Sequence, residues 1–91
     1  MTDTVRPSPD VLAAHLQDET VLLHMGSKRY FHLNESGQRI WQLLESGVQP
    51  SALAARMHEE FEIDTETARA GVAALLESLQ ALGLLEDADQ A

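Results

Sequence analysis

The chain has 91 residues, a formal net charge of −9 and no cysteine, and each of these facts excludes a class of function. One domain of this size holds a modest core but no second lobe to enclose a substrate, so any binding site is a surface groove. Without cysteine there are no disulfides, thiolate zinc sites or thiol nucleophiles. Fifteen acidic against six basic side chains disfavour a nucleic-acid partner, because affinity for phosphate backbones comes largely from cations. No apolar run approaches the roughly 20 residues of a membrane span and no secretory signal is visible, so we expect a cytoplasmic protein without a membrane partner.

The first third of the sequence predicts a flexible segment followed by a small antiparallel sheet. Residues 1–10 are polar and contain two prolines, which favours extended and mobile backbone. Short alternating or β-branched runs then predict three strands, and Gly26 and Ser27 break the chain between the second and the third. The predicted strands are 11–17, 20–25 and 29–33.

The pairing register of the last two strands is chosen by placing the apolar side chains on one face. A three-residue loop pairs Leu23 with Phe31 and Val21 with Leu33, and we prefer this register. A two-residue turn shifts the pairing by one residue, places Leu23 opposite Tyr30 and mixes apolar with polar side chains. In the preferred register the other face carries Leu22, His24, Tyr30 and His32, a composition typical of a half-wet surface.

Two helices are predicted directly after the sheet. Asn34 is a good N-cap for the first helix, whose apolar residues recur at helical spacing until Gly47. Pro50 suits the first turn of the second helix. The apolar face of this second helix consists of Leu53, Ala54, Met57 and Phe61.

A third helix is predicted over 68–82, with Asp64 or Thr65 as its cap and an end at Gly83. It carries more apolar surface than one core contact requires. One stripe consists of Ala68, Val72, Leu75, Leu79 and Leu82, and an adjacent stripe consists of Arg69, Ala73, Leu76 and Gln80. The second stripe either lines a groove or widens the core face, and periodicity alone does not decide between them. Residues 86–91 form an acidic tail.

The polar residues form no catalytic or metal-binding pattern. The histidines have no carboxylate at ligand spacing beside them, and we interpret His15, His24, His32 and His58 as solvated surface residues. No serine lies in a Gly-x-Ser-x-Gly elbow, and Gly-rich phosphate loops are absent from the sequence. We therefore expect no catalytic residue, no metal and no cofactor.

The strand 29–33 suggests peptide binding, because the last strand before a helix is expected to be a sheet edge. An extended peptide can complete such an edge as a further strand. Lys28 and Arg29 at its start fit that role, or are ordinary charges that protect an edge from aggregation. About four main-chain hydrogen bonds at about 1 kcal/mol each do not offset an association cost of roughly 4–15 kcal/mol. Apolar side chains of the peptide must therefore be seated between the strand and the third helix.

The segment 29–47 reads RYFHLNESGQRIWQLLESG and resembles the PqqD-like family of precursor recognition elements. These proteins serve the biosynthesis of ribosomally synthesised and post-translationally modified peptides (RiPPs). The shared pattern is an aromatic strand, then Leu33-Asn34, then a helix with Ile40-Trp41 and a Leu-Leu pair before Gly47. The resemblance continues through the third helix and covers nearly the whole chain from Val11. One departure lies at Lys28, where family members often carry glycine.

The resemblance implies an α+β, winged-helix-like fold, in which a three-stranded antiparallel sheet is followed by three helices. It also implies a protein without catalytic activity that binds the leader of a precursor peptide, between the third strand and the third helix. The implied organisation is a flexible segment 1–10, a recognition domain 11–85 and an acidic tail 86–91. Carried over by position, the leader-binding residues are Lys28, Arg29, Tyr30, Phe31 and His32 on the strand and Arg69, Val72, Ala73 and Leu76 on the helix.

Within the family, the chain looks most like the stand-alone recognition protein of lasso-peptide pathways, which presents the precursor to a leader peptidase and then to a macrocyclase. A peptide chaperone of pyrroloquinoline quinone (PQQ) synthesis or of another RiPP pathway is the alternative. The alternatives from other classes are a stand-alone hydrolase and a winged-helix regulator that inserts a helix into DNA. The second and third helices and the turn between them carry only Arg56 and Arg69 as cations, which disfavours DNA.

Overall fold

The structure, a computed structural model, describes residues 5–87. The strands are β1 (Val5–Pro7), β2 (Val11–His15), β3 (Thr20–His24), β4 (Arg29–Leu33) and β5 (Leu85–Asp87), and the helices are α1 (Glu35–Glu45), α2 (Pro50–Phe61) and α3 (Thr65–Ala81). Strands β2, β3 and β4 form an antiparallel sheet in that order, while β1 pairs with β5. The predicted α+β class, with a three-stranded antiparallel sheet and three helices, is confirmed.

The preferred register of the hairpin between β3 and β4 is wrong by one residue. The predicted pairs of Leu23 with Phe31 and Val21 with Leu33 do not form. Leu23 pairs instead with Tyr30, as in the alternative that mixes apolar and polar side chains. Because side chains alternate along a strand, this shift moves every side chain of β3 to the opposite face.

Both faces of the sheet are apolar. For this reason the side-chain pattern did not predict the register of β3 against β4 correctly. Leu22, which was predicted on the half-wet face, is completely buried against the helices. Val21 and Leu23 lie on the outer face, where their partners on β2 are Ala14 and Leu12. Because both faces carry aliphatic side chains, both registers place apolar residues together and the pattern does not distinguish them.

The turn between β3 and β4 holds this register through an unusual lysine. Lys28 has a left-handed backbone with a φ of 62°. Its N–H donates to the carbonyl oxygen of His24 over 2.7 Å and closes the turn. Glycine adopts this conformation without steric cost, so the lysine stands where glycine fits most easily.

The predicted cap of α1 and the proline in the first turn of α2 are confirmed, whereas α3 begins at Thr65 and not at the predicted residue 68. Asn34 Oδ1 accepts a hydrogen bond from the Gly37 N–H and so caps α1. Pro50 occupies the first turn of α2. Of the two candidate caps for α3, Asp64 rather than Thr65 supplies the accepting side chain. Gly83 follows α3 with a φ of 77°, as expected of a left-handed helix end.

Strands β1 and β5 bring the two ends of the described chain together. Pro7 pairs with Leu85 in an antiparallel ribbon, and Leu85 is buried. The ribbon therefore includes part of the predicted flexible segment and the start of the predicted acidic tail. Residues 1–4 and 88–91 lie outside the described range, and the predicted domain boundaries stay a prediction.

The core fills the space between the sheet and the three helices. Its most deeply buried side chains are Leu22, Trp41, Leu44, Leu53 and Leu84. Gln38 on α1 is also buried, and its Nε2 donates to the carbonyl oxygens of Leu16 and Glu19 over 3.1 and 3.0 Å. These bonds tie the turn between β2 and β3 to α1 and so fix the sheet beside the helices.

An ion pair joins α1 to α2. Arg39 donates through Nε and Nη2 to the two carboxylate oxygens of Glu60, over 2.6 and 2.9 Å. The hydrogen-bonded guanidinium holds the pKa of Glu60 below its ordinary value of 4.5, and the carboxylate raises the pKa of Arg39. The two side chains are 35% and 31% exposed, so solvent screening limits the contribution of the pair to about 0.5–1 kcal/mol.

We expect Glu60→Gln to lower the free energy of unfolding by about 0.5–1 kcal/mol at pH 7. Because folding lowers the pKa of Glu60, this contribution is complete above the ordinary pKa and is lost as the pH falls through the lowered value. The difference between wild type and variant should therefore be smaller at pH 3 than at pH 7. Urea unfolding at both pH values measures it, and an equal difference at both would contradict the assignment.

Candidate functional site

A groove of about 510 Å³ opens between the end of β4 and α3. Its floor is formed by the buried side chains of Leu33, Ile40, Met57, Ala68 and Val72. Its rim is formed by His32, Asn34, Ser36 and Gly37 on the side of β4 and α1, and by Ile63, Thr67, Gly71 and Leu75 on the side of α3. The groove thus offers an apolar floor between a strand and a helix.

Three residues of α3 form the wall that faces β4. Thr67, Gly71 and Leu75 follow one another at four-residue spacing, and this spacing places them in one row along a helix face. The end of β4 forms the opposite wall. Leu33 on this strand faces the core and therefore contributes to the floor of the groove. Helix α1 starts directly after β4 and closes this end of the groove.

The hydrogen bonds of the sheet show which backbone groups of β4 are directed outward. In an antiparallel ladder, hydrogen-bonded and non-hydrogen-bonded pairs alternate. Two backbone hydrogen bonds of 2.8 Å lie at the two ends of the β2–β3 pairing. Met25 N–H donates to the carbonyl oxygen of Asp10, and Leu16 N–H donates to that of Glu19. Odd-numbered residues of β3 therefore bond to β2, and even-numbered ones bond to β4. Their partners on β4 are Arg29, Phe31 and Leu33.

Tyr30 and His32 consequently direct their N–H and C=O groups away from β3. No element within residues 5–87 pairs with this edge of the sheet. The two residues offer two donors and two acceptors at the spacing that a further strand needs. The side chains of Phe31 and Leu33 point to the inner face, so an added strand would direct every second side chain toward the groove.

The strand part of the predicted site forms one continuous edge. Lys28 lies in the turn, and the other four predicted residues lie in β4. His32 lines the groove. Tyr30 is 67% exposed, and the Arg29 guanidinium carbon lies 5.6 Å from the centre of the Phe31 ring, which places these two on the inner face.

The helix part of the predicted site divides between two clefts. Val72 contributes to the groove beside β4, where it belongs to the buried floor. Arg69, Ala73 and Leu76, together with Val72, line a second cleft of about 310 Å³ between α3 and the start of α2. The structure therefore does not bring these three residues together with β4. Their contact with a peptide stays a prediction.

Thr67 and Gly71 line the groove although neither was predicted as a site residue, and Leu75 was predicted in the core stripe. The four-residue spacing of the three was visible in the sequence. This spacing does not predict which side of the core stripe faces the sheet, because that depends on how the helix crosses the sheet. Leu75 is half-buried and serves both the core and the groove.

Two of the histidines each lie near one carboxylate. His15 Nε2 lies 3.4 Å from Glu45, and His32 Nδ1 lies 3.6 Å from Glu19. Within the described part of the chain, no group of three or more His, Asp or Glu side chains is placed to hold a metal ion. None of the helices described is long and apolar enough to cross a membrane.

An unpaired strand edge beside an apolar groove defines a class of protein, the small α+β domain that accepts an extended peptide as a further strand. The family model of coenzyme PQQ synthesis protein D (PqqD) matches residues 19–85, and the chain belongs to this family. The predicted resemblance to PqqD-like proteins is confirmed. A comparison with curated proteins finds no match.

Two solved structures are similar to the chain. One is TbiB1 in complex with the TbiA(beta) leader peptide, with 37% identity, a TM-score of 0.85 and coverage of 89% of this chain and 94% of that chain. The other is lasso peptide synthetase B1 complexed with the leader peptide, with 30% identity, a TM-score of 0.81 and coverage of 90% and 96%. Both structures thus contain a leader peptide.

Proposed function

We propose that the chain binds the leader segment of a ribosomally synthesised precursor peptide, as a strand added to β4, in lasso-peptide biosynthesis. The observation that carries this proposal is the outward-directed backbone of Tyr30 and His32 beside the apolar groove. The two similar structures support the choice of ligand, because each contains a leader peptide and one is a lasso peptide synthetase.

The groove supplies the affinity that the strand edge lacks. Four main-chain hydrogen bonds contribute about 1 kcal/mol each, and association costs roughly 4–15 kcal/mol. Two or three apolar leader side chains contribute about 1.5–3 kcal/mol each when they are buried. The leader positions opposite Phe31 and Leu33 are the ones directed toward the groove, so these positions should be apolar. Micromolar affinity then comes within reach.

The outer face of the sheet is the surface through which we propose that the bound leader is presented to a leader peptidase. Leu12 and Tyr30 on this face are 57% and 67% exposed, and Leu23 lies between them. The face is continuous with the edge strand, so a peptidase seated there would touch the domain and the leader together. A macrocyclase would then receive the cleaved precursor.

In this proposal the chain itself contributes recognition and no catalysis. Its site offers the outward backbone groups of β4 and an apolar floor, which suit the binding of an extended peptide. It acts in the cytoplasm, where its ribosomally made ligand is produced.

The proposal predicts that a fluorescein-labelled synthetic leader, encoded by a short open reading frame next to the chain's gene, binds with micromolar or tighter affinity. Fluorescence polarisation measures the affinity. A scrambled leader of the same composition is the control and should bind at least about 10-fold more weakly, because register and anchor positions are lost. A PQQ-type precursor and a DNA duplex test the alternatives. No binding to any locally encoded leader would refute the proposal.

A further inference from the structure

Gly71 lies in the interior of α3 and lines the groove, yet nothing in the protein occupies the place of its missing side chain. Apart from the two chain neighbours of Gly71 and the nearby backbone of α3 itself, no atom of the described chain would lie within 4 Å of a Cβ atom built on Gly71. Glycine in a helix interior is less stable than alanine because it loses more conformational freedom on folding. The protein thus keeps a destabilising residue at a position where its own packing would accept a side chain.

The chain contains five glycines, and the structure of the protein itself explains why glycine is present at the other four positions. Gly47 and Gly83 have φ values of 93° and 77°, which favour glycine. A Cβ on Gly37 would lie 3.3 Å from the side chains of Asn34 and Leu33, and one on Gly26 would lie 3.1 Å from the His24 ring. At Gly71 the described chain supplies neither a positive φ nor a close contact that would favour glycine.

We infer that Gly71 is a specificity-determining residue of the leader site. This inference rests on the proposed leader binding. The absent side chain leaves a notch in the groove wall between Thr67 and Leu75, one helical turn to either side. A large apolar side chain of the leader occupies this notch, above the floor formed by Ile40, Met57 and Val72.

The chemistry of the notch defines which side chain fits. The floor below Gly71 is buried and apolar, so a charged leader residue would lose its hydration without gaining a partner. A branched aliphatic or aromatic side chain fills the space and gains contacts with the floor. The residue of the leader that carries it stands opposite Leu33, because the groove lies at that end of β4 and Leu33 faces it.

The inference predicts opposite effects of Gly71 substitutions on stability and on binding. Gly71→Ala should raise the midpoint of thermal unfolding by about 4 °C, because alanine favours the helix. Gly71→Leu should not lower this midpoint below that of wild type, because the free protein has space for the side chain. It should weaken binding of the labelled synthetic leader at least about 10-fold, because the leucine fills the notch that the leader needs.

Ala74→Leu is the matched control, since Ala74 lies on the same helix, is exposed and lines neither cleft. It should leave the affinity for the leader unchanged. Replacing the apolar leader residue opposite Leu33 by alanine should weaken binding to wild type at least about 10-fold and binding to Gly71→Leu much less, because the notch is already filled.

The outcomes separate the inference from the proposed function. If wild type binds the leader and Gly71→Leu binds it equally well, the notch has no role and the inference is overturned while leader binding stands. If wild type binds no leader, the proposed function and the inference fall together. Weakened binding by both Gly71→Leu and Ala74→Leu would indicate a general effect of helix bulk and would also overturn the inference.

Discussion

Replacing Tyr30 and His32 together by proline is expected to weaken leader binding at least about 30-fold without unfolding the domain. Proline has no N–H and therefore removes the two outward donors of β4. Two hydrogen bonds of about 1 kcal/mol each correspond to about 30-fold in affinity. The proline rings also stand in the path of the added strand, so the loss should exceed this value.

The domain should tolerate these prolines because their N–H groups take no part in the sheet. Proline is acceptable on an edge strand where the N–H faces solvent. The bonds from β4 to β3 come from Arg29, Phe31 and Leu33, and these residues are unchanged. Circular dichroism and the thermal midpoint should therefore stay close to wild type.

The double alanine variant of the same two positions is the control, because it removes both side chains but keeps both N–H groups. Its affinity for the leader should lie much closer to wild type than that of the double proline variant. An equal loss in the two variants would show that the side chains, and not the strand edge, bind the leader. Wild-type affinity in the proline variant would rule out strand addition to β4.

Features that depend on neighbouring residues could be predicted from the sequence. The cap at Asn34, the proline at the start of α2 and the glycine after α3 each act within one helical turn, so the pattern of residues specifies them locally. The position of β4 at a sheet edge was also predictable from its place in the sequence. A short apolar strand directly before a capped helix has few places in a small sheet other than its edge.

The register of β3 against β4 could not be derived in this way. Leu22 faces the core, but Val21 and Leu23 on the opposite face are just as apolar. The choice therefore depends on the turn, where Lys28 takes a left-handed conformation that its residue type does not predict. A glycine at that position would have indicated the turn from the sequence.

The side of α3 that faces the groove was also beyond the sequence. Residues on either side of a core stripe are equivalent in a helical wheel, and they become different only when the helix is docked. Leu75 and Leu76 are neighbours in sequence and both half-buried. The structure turns Leu75 toward β4 and Leu76 toward the start of α2.

This division between Leu75 and Leu76 provides the sharpest test of where the leader lies. We expect Leu75→Glu to weaken leader binding by about 10- to 100-fold, because it removes an apolar wall worth about 1.5–3 kcal/mol and places a carboxylate beside the buried floor. Leu76→Glu makes the same chemical change one residue further along α3. It should leave the affinity within about twofold of wild type if the leader occupies the groove beside β4.

The pair is informative because both variants carry the same added charge and lose a similar contact with the core. A general loss of stability would lower the thermal midpoint of both, whereas a direct contact with the leader would affect only one. Strong loss in Leu76→Glu alone would place the leader in the cleft with Arg69 and Ala73, as the family resemblance implies. Strong loss in Leu75→Glu alone would assign the leader to the row that contains Thr67 and Gly71.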